Sequence, residues 1–241
     1  TNGWFNVLGE QPAARVFSGE SKADWVIVGG GFSGLGAARR LGELRPNDRI
    51  VLLEAGRIGE NASGRNSGFV IDLPHNFSQE QPEHDLRQIR VNRMAIAWLA
   101  ELVERHQIRC QWSHRGKVHV AATRQGRKNL EVMAQRLTGL GEANEHWDKA
   151  RLTAYLGTDY FDYGLFTPGC ILMQPAALVT GLARSLPGNV EIYEESAVTG
   201  FEDGATKTLE TAGGKVTTSQ VILATNGWTP AFGFLERQLL T

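Results

Sequence analysis

The sequence has 241 residues with a net charge of −1, and 41% of its residues are hydrophobic. This composition supports a packed core, excludes a wholly disordered chain and suits one to two domains. The balanced charge excludes a general nucleic-acid coat, which needs a clustered excess of Lys and Arg, and no apolar run reaches the ~18 residues of a membrane span.

Cysteine and glycine content narrow the class of protein further. The two cysteines, Cys110 and Cys170, are too few for a disulfide framework, which predicts a reducing, cytoplasmic location. The 28 glycines exceed the usual share of about 7%. Because they follow no collagen period, they indicate many tight turns or close backbone approaches.

A βαβ unit is predicted near the start of the chain. Residues 1–22 form an irregular lead-in to which no chemistry is assigned. Residues 24–28 are an apolar, β-branched run that suits a strand buried on both faces. Apolar residues recur every three positions over 32–44, which predicts a helix, and 46–48 end it. A second buried strand over 49–54 completes the unit.

The rest of the chain is predicted to mix helices and strands. A long amphipathic helix is predicted over 83–106, and shorter helices over 125–140, 150–156 and 175–186. Strands are predicted over 116–123, within 160–173, and over 190–193, 197–202, 207–211, 215–218 and 221–224, the last of them buried.

Three glycines between the first strand and the first helix fit the dinucleotide-binding pattern G-x-G-x-x-G. Gly29 permits the tight turn, Gly31 lets a pyrophosphate approach the backbone, and Gly34 lets helix and strand pack closely. Between the glycines, Phe32 and Ser33 open the helix, whose free N–H groups and positive dipole suit phosphate. This strand–turn–helix context makes the pattern more specific than a lone hexapeptide.

An acidic residue follows at the end of the second strand, because Glu54 lies 20 positions beyond Gly34. A carboxylate there accepts hydrogen bonds from ribose hydroxyls and repels a 2′-phosphate. The alternative is a glycine turn followed by a solvated glutamate. The agreement of strand, turn, helix, strand and acid favours a dinucleotide site.

A further segment, residues 54–68, indicates which dinucleotide is bound. It fits E-x-x-x-x-G-x-x-A-S-G-R-N-x-G, and the segments 174–184 and 221–227 complete a set of motifs in order. The residues that fit the pattern are Glu54, Gly59, Ala62, Ser63, Gly64, Arg65, Asn66 and Gly68. Over about 24–230 the chain resembles the FAD-dependent D-amino acid oxidase superfamily, particularly its glycine oxidase and gamma-glutamylputrescine oxidoreductase-like members.

The resemblance implies an α/β architecture with two domains. Residues 1–80 and 175–241 are expected to form a Rossmann-like FAD-binding domain, a parallel sheet with helices on both faces. Residues 81–174 are expected to form part of an inserted α+β substrate domain. Family members are longer and close the flavin site with a C-terminal portion, so a C-terminally incomplete chain is expected.

The resemblance also implies a set of cofactor-binding residues. Segment 62–68 is expected to wrap the pyrophosphate and flavin, with Arg65 either pairing with a phosphate or forming a structural ion pair. Val198 is expected to reach the adenine through its backbone, and it can be a core valine at the same time. Besides the glycine turn and Glu54, the expected contacts are Ala55, Ala62, Ser63, Arg65, Asn66, Ser67, Gly68, Val198, Ala224, Thr225 and Gly227.

The implied function is FAD-dependent oxidation of the C–N bond of an amine or amino acid, by hydride transfer to the flavin. Oxygen is the expected acceptor, with hydrogen peroxide as product, and a dehydrogenase that passes the electrons to another acceptor is the alternative. No catalytic side chain and no metal site are assigned, because the cofactor supplies most of the chemistry. His75 and Trp228 are candidates for the substrate side, although most such loop histidines are bystanders. Cys110 and Cys170 are expected to be buried thiols rather than covalent flavin attachments.

Two other functions remain open. An NAD-dependent dehydrogenase uses the same fingerprint, although segment 62–68 argues against it. A cofactor-free, inactive fragment that acts only as an interaction module is the third possibility. The expected partners are a small amine or amino acid substrate and another copy of the chain, because an incomplete sheet exposes strand edges. No nucleic-acid partner is expected.

Overall fold

The computed structural model describes residues 2–78, 81–236 and 238, and within them helices and strands mix as the sequence predicts. The helices are α1 (Gly3–Asn6), α2 (Phe32–Leu44), α3 (Pro82–Arg105), α4 (Arg124–Gly139), α5 (Lys149–Leu156) and α6 (Pro175–Arg184). The strands of the N-terminal half are β1 (Gly19–Lys22), β2 (Trp25–Val28), β3 (Ile50–Leu53), β4 (Phe69–Val70) and β5 (Lys117–Ala121). The remaining strands are β6 (Glu145–Asp148), β7 (Tyr163–Thr167), β8 (Ile171–Leu172), β9 (Val190–Tyr193), β10 (Val198–Glu202), β11 (Lys207–Thr211), β12 (Gly214–Thr218) and β13 (Gln220–Leu223). Short 3₁₀ helices cover Ala62–Gly64 and Asn226–Phe232.

The chain divides into two compact units. The first unit comprises Thr1–Ser67, Val103–Cys110 and Gln174–Thr241, and the second comprises Gly68–Leu102 and Gln111–Met173. The limits expected for the functional domains, at residues 80 and 174, stay a prediction. Among the described residues, the helices are all too short or too polar to cross a membrane.

The first unit is built on a parallel sheet in the order β13-β2-β3-β9. Its central strands read as unbroken apolar runs because both of their faces are buried: Val26, Ile27, Val51 and Leu52 are fully shielded from solvent. The predicted parallel sheet is therefore confirmed. The last strand, β13, is only half-buried, contrary to the prediction, because it lies at the edge of this sheet.

The two faces of the parallel sheet are covered differently. Val26, Val51 and their neighbours on one face pack against Leu209 and Val216 of a second sheet, in the order β1-β12-β11-β10. Alternation sends Ile27 to the opposite face, where α2 contacts β2, β3 and β9. The expectation of helices on both faces is therefore corrected, because a small mixed sheet replaces the helices on one face.

The predicted irregular lead-in over 1–22 also needs correction. It contains α1 and β1, and β1 pairs in parallel with β12 from Gly19 opposite Gly214 to Lys22 opposite Thr217. The sequence of β1 is polar and short, so it carries no alternation by which a strand could be predicted. Pairing with a strand almost 200 positions away decides its conformation.

The second unit contains the antiparallel sheet β5-β7-β6 and a core of Leu73, Ile89, Leu137 and Leu165. The predicted helix over 125–140 packs on this sheet as α4. Arg136 of α4 donates to the fully buried carboxylate of Asp85 at 2.8 Å, which ties α4 to α3. Removing Arg136 would leave the buried carboxylate of Asp85 unpaired, which would cost several kcal/mol.

A charged cluster lies beside β3 and β9 of the parallel sheet. The Glu191 carboxylate accepts from Arg49 Nε at 2.6 Å, from the Tyr193 hydroxyl at 2.7 Å and from Arg15 at 2.9 Å. The hydrogen bond from Arg49, followed by that from Tyr193, lowers the pKa of Glu191 to about 2. This carboxylate therefore joins the lead-in, β3 and β9.

Replacing Glu191 with Gln is expected to lower the free energy of unfolding by about 1 kcal/mol at pH 7, a value discounted for the partly exposed arginines. The pKa of Glu191 is lower in the folded chain than its ordinary value of 4.5. Its stabilisation is therefore present above that pH and is lost as the pH falls toward 2. Urea unfolding of parent and variant across this range measures the difference.

The matched control for this prediction is Glu131→Gln. Glu131 forms an exposed pair with Arg127 within α4, and an exposed ion pair of this kind adds little to stability. A Glu191→Gln loss at pH 7 no larger than that of Glu131→Gln, or a loss that persists unchanged at pH 2, would contradict the assignment.

Candidate functional site

The turn between β2 and α2 is built on close backbone contacts that exclude side chains. Gly29 has φ of +106°, and a Cβ on it would lie 2.5 Å from the Ala224 carbonyl oxygen. A Cβ on Gly34 would lie 1.8 Å from the Gly29 carbonyl oxygen. Only glycine fits at either position, because real Cβ atoms do not approach backbone this closely. The turn, the first turn of α2 and the end of β13 therefore meet at one point.

The N-terminus of α2 has the properties of an anion site. Its N-cap is Gly31, which has no side chain to cap the helix, and a Cβ there would lie 3.0 Å from Ser63 Oγ. The N–H of Phe32 donates to Ser63 Oγ at 3.2 Å, and Ser33 is exposed. The first N–H groups of a helix have no partner within it and carry a positive partial charge. A phosphate is the ligand that such an end binds best.

Glu54 is held firmly at the end of β3. Its carboxylate accepts from the Gly30 N–H at 2.7 Å and from the Gly56 N–H at 3.0 Å. Ala55, beside it, is exposed. Each carboxylate oxygen has a second lone pair, so both can still accept a hydroxyl proton. The carboxylate is thus fixed against the glycine turn with acceptor capacity to spare.

Residues 59–66, called here the 59–66 loop, fold tightly although they contain only one turn of 3₁₀ helix. Gly59 has φ of +93°, and a Cβ on Gly64 would lie 1.9 Å from the Gly59 carbonyl oxygen. The loop rests on α6, since a Cβ on Gly59 would lie 3.2 Å from Val179 and from Thr180. Ala62 is exposed and Ser63 is half-buried, facing the start of α2.

The end of the predicted flavin segment has mixed surroundings. Arg65 donates through Nε to the Glu60 carbonyl, and its exposed guanidinium retains further donors. Asn66 donates to the Ser63 carbonyl at 2.8 Å, and Ser67 is exposed. Gly68 belongs to the second unit, where its carbonyl accepts from the Met173 N–H at 2.9 Å.

The C-terminal candidates are positioned by strands of two different sheets. Val198 begins β10, where it packs on the apolar core, and the pairing with β11 shifts register just beyond it. Ala224 follows β13, and its N–H donates to the Val28 carbonyl at 2.8 Å. The Thr225 hydroxyl contacts that of Thr229 at 3.0 Å, and Gly227 lies within the following 3₁₀ helix. The structure brings Ala224 to the glycine turn and places Val198 in the adjoining core.

The candidates for the substrate side are less enclosed. His75 is exposed in the second unit, and Trp228 is 78% exposed in the first. Burial lowers the pKa of His119 to about 4, so this histidine of the second unit is neutral at pH 7; the charges of Lys117 and His75 contribute less. Among the described residues, the contacts within each unit indicate no catalytic role for His75, Trp228 or His119.

The cysteines lack the surroundings of a reactive thiol. Cys110 and Cys170 are buried thiols outside any disulfide. Burial raises the pKa of Cys170 to about 11, which leaves it protonated at neutral pH. A reactive cysteine requires a thiolate in an electropositive, accessible site.

Sequence reasoning missed the residues that hold the 59–66 loop from outside. Asn2 is buried and donates to the Gly59 carbonyl at 2.7 Å, and the Trp4 indole donates to the Asn66 carbonyl at 2.9 Å. Gln174, the N-cap of α6, donates to the Trp4 carbonyl at 2.7 Å. An Asn before a short helix is a capping signal. Its long-range partners could not be read from the sequence.

Comparisons with known proteins show which family the chain resembles. The family model described as FAD dependent oxidoreductase (DAO) matches residues 24–240. The protein named "Probable oxidoreductase OrdL" of Haemophilus influenzae is 30% identical over 219 residues, covering 86% of this chain and 49% of the relative. Gamma-glutamylputrescine oxidoreductase of Escherichia coli is 28% identical over 212 residues, covering 85% and 49%.

The fold is also shared with a solved structure. Glycine oxidase from Geobacillus kaustophilus superposes with a TM-score of 0.76 at 23% identity, covering 88% of this chain and 58% of that one. The resemblance and the FAD cofactor expected from the sequence motifs are confirmed by the family match. The chain spans about half the length of the curated relatives it matches.

Adding one methyl group to Gly34 is expected to disrupt the glycine turn. The new Cβ of Gly34→Ala would lie 1.8 Å from the Gly29 carbonyl oxygen, so backbone must move. We expect a loss of about 3 kcal/mol in the free energy of unfolding, measured by urea titration.

Gly36→Ala is the matched control, two residues further along α2. A Cβ there meets nothing within 4 Å, and alanine favours a helix over glycine by up to about 1 kcal/mol. Opposite signs for the two variants are therefore expected. Equal effects would mean that Gly34 is present for reasons other than close packing.

Proposed function

Because this chain belongs to the FAD-dependent oxidoreductase family, we propose that its first unit binds FAD and that the whole protein oxidises the C–N bond of an amine or amino acid. The observation that carries the proposal is the N-terminus of α2, whose N-cap Gly31 has no side chain, beside a fixed carboxylate, with glycine wherever a Cβ would block approach. This arrangement suits a pyrophosphate and a ribose in one dinucleotide.

The residues present fit FAD in a definite order. The N–H groups at the start of α2, next to Ser63, would hold the pyrophosphate, and the exposed donors of Arg65 can neutralise its charge. Glu54 would accept the ribose hydroxyls with the lone pairs that its backbone bonds leave over. Ala224 and Gly227 present backbone at the end of β13, where side chains are small.

The chemistry then falls to the cofactor. When bound, FAD would supply the hydride acceptor for oxidation of the carbon next to the substrate nitrogen. The protein's task is to orient the amine and to keep it neutral, which a desolvated pocket does by lowering the amine pKa. Oxygen as the electron acceptor, with hydrogen peroxide as product, belongs to the same proposal.

Two relatives guide the substrate class. One is named for gamma-glutamylputrescine, an amine, and one for glycine, an amino acid. We extend a C–N bond substrate to this chain on that basis. An NAD-dependent dehydrogenase and a cofactor-free interaction module are the competing functions.

Titration with FAD and with NAD separates these three functions. The parent chain is expected to take up FAD, with flavin absorbance retained after gel filtration, and to show no saturable binding of NAD. Glu54→Gln is expected to raise the Kd for FAD about tenfold, because it removes a charged acceptor of the ribose hydroxyls.

The control is Glu43→Gln, a glutamate near the other end of α2 that pairs with Arg40. Its Kd for FAD should match that of the parent. Uptake of NAD in preference to FAD would support the dehydrogenase. A folded chain that binds neither dinucleotide would contradict the proposal and favour the cofactor-free interaction module.

Turnover is tested on the full-length gene product with a panel of primary amines, secondary amines and amino acids, scored for hydrogen peroxide. At least one class should reduce the flavin and release peroxide. Flavin reduction by a substrate without peroxide would identify a dehydrogenase that uses another acceptor. No reduction by any member of the panel would contradict C–N oxidation.

Location and self-association complete the proposal. Two buried cysteines that form no disulfide are compatible with a reducing cytoplasm, and recovery of the protein from a periplasmic or secreted fraction would contradict that location. Among the described residues, the outer edges of β5 and β6 in their three-stranded sheet pair with no other strand, which suits pairing with a second copy. Light scattering that reports only monomer at micromolar concentration would exclude it.

A further inference from the structure

We propose that Asn2 and Trp4 are positioning residues for the cofactor site, because they hold the 59–66 loop in the shape that faces the start of α2. The inference rests on the proposed function, since it assumes that this loop binds FAD. Asn2 and the helix α1, which contains Trp4, are called the N-terminal brace. Its residues lie in a segment for which the sequence offered no chemistry.

Asn2 uses its amide completely within the protein. It is 6% exposed, and its Nδ2 donates to the Gly59 carbonyl at 2.7 Å and to the Gly64 carbonyl at 3.1 Å. Its Oδ1 accepts from the N–H groups of Trp4 at 3.1 Å and Phe5 at 3.4 Å, which caps α1. The amide oxygen therefore caps α1, and the amide nitrogen holds the 59–66 loop.

The two carbonyls that Asn2 joins are the ones that define the loop. Gly59 has φ of +93°, and its carbonyl lies against Gly64 so closely that a Cβ would be 1.9 Å from the oxygen. Two buried carbonyl oxygens that converge in this way are costly to leave without a donor. The –NH₂ of Asn2 is that donor.

The loop shape then fixes Ser63, the neighbour of Gly64. Its Oγ accepts from the Phe32 N–H at 3.2 Å and lies where a Cβ on Gly31 would be 3.0 Å away. A shift of the loop would move this hydroxyl relative to the phosphate-binding end of α2. The brace thus acts on the cofactor site through Gly64 and Ser63.

Trp4 fixes the far end of the loop and anchors the brace itself. Its Nε1 donates to the Asn66 carbonyl at 2.9 Å, and its own carbonyl accepts from Gln174 Nε2 at 2.7 Å. Gln174 also caps α6 by accepting from the Ala177 N–H, and Val179 and Thr180 of α6 lie against Gly59. The loop is held between two helices that share one glutamine.

Two substitutions of Asn2 separate its two tasks. Asn2→Ser keeps a good helix cap and removes the Nδ2 donor. Asn2→Asp keeps the cap acceptor and the shape but turns an oxygen toward two carbonyl oxygens. We expect the Kd for FAD, measured by quenching of flavin fluorescence, to rise about tenfold in Asn2→Ser and further in Asn2→Asp.

Asn6→Ser and Asn6→Asp are the matched controls, since Asn6 is exposed at the other end of α1. Their Kd values should stay within about twofold of the parent. All proteins are compared at a temperature where circular dichroism shows them folded. Amide hydrogen exchange of residues 59–66 without FAD gives the second readout, and faster exchange is expected only in the Asn2 variants.

The outcomes are distinct for the brace and for the proposed function. A parent chain that binds no FAD contradicts the function, while loop exchange still tests the brace. Asn2 variants that lose thermal stability but bind FAD as the parent does overturn the brace and leave the function intact.

If the Asn2 variants do not fold, Trp4→Phe is used instead, because it keeps an aromatic ring and removes the Nε1 donor to the Asn66 carbonyl. That variant should raise the Kd about threefold, and an unchanged Kd overturns the proposal.

Discussion

The contact between the Gly34 Cα and the Gly29 carbonyl is the constraint on which the rest of the site depends. Because neither residue carries a Cβ, α2 begins only three residues after β2, and the carbonyl of Ala224 can close on the same turn. The N–H groups at the start of α2 therefore lie at the same edge of the sheet as Glu54, which follows β3. A single methyl group at this point would separate the helix, the two strands and the carboxylate.

The loop after Glu54 has little regular structure and is held by segments remote in sequence. The Ile58 N–H donates to the Glu194 carboxylate at 2.7 Å, and the Glu195 N–H donates to the Gly56 carbonyl at 2.9 Å. The next part of the loop rests on α6 and on Asn2. Short contacts to the N-terminal segment, to the region after β9 and to α6 thus replace the internal hydrogen bonds that a helix or strand would have.

The site is built mainly from backbone rather than from charged side chains. Of the predicted cofactor contacts, only Glu54 and Arg65 carry charge, and the rest are small or present N–H groups. This economy suits a flavin enzyme, in which the cofactor performs the chemistry and the protein binds and orients. In keeping with this, the strongly shifted pKa values of Glu191 and Cys170 arise from hydrogen bonds within an ion-pair cluster and from burial, and neither residue is a predicted cofactor contact.

The sequence by itself determined the βαβ unit, the parallel sheet and the identity of the family, because these depend on local patterns: an apolar run, a glycine turn and an acid at a fixed spacing. The tertiary structure alone decided that a second sheet covers one face, that β1 is a strand, and that Asn2 holds Gly59. The physical reason is that a polar strand edge or a buried carbonyl needs a partner, and that partner lies far along the chain. Local pattern specifies which elements form, whereas hydrogen-bond satisfaction between distant residues specifies where they meet.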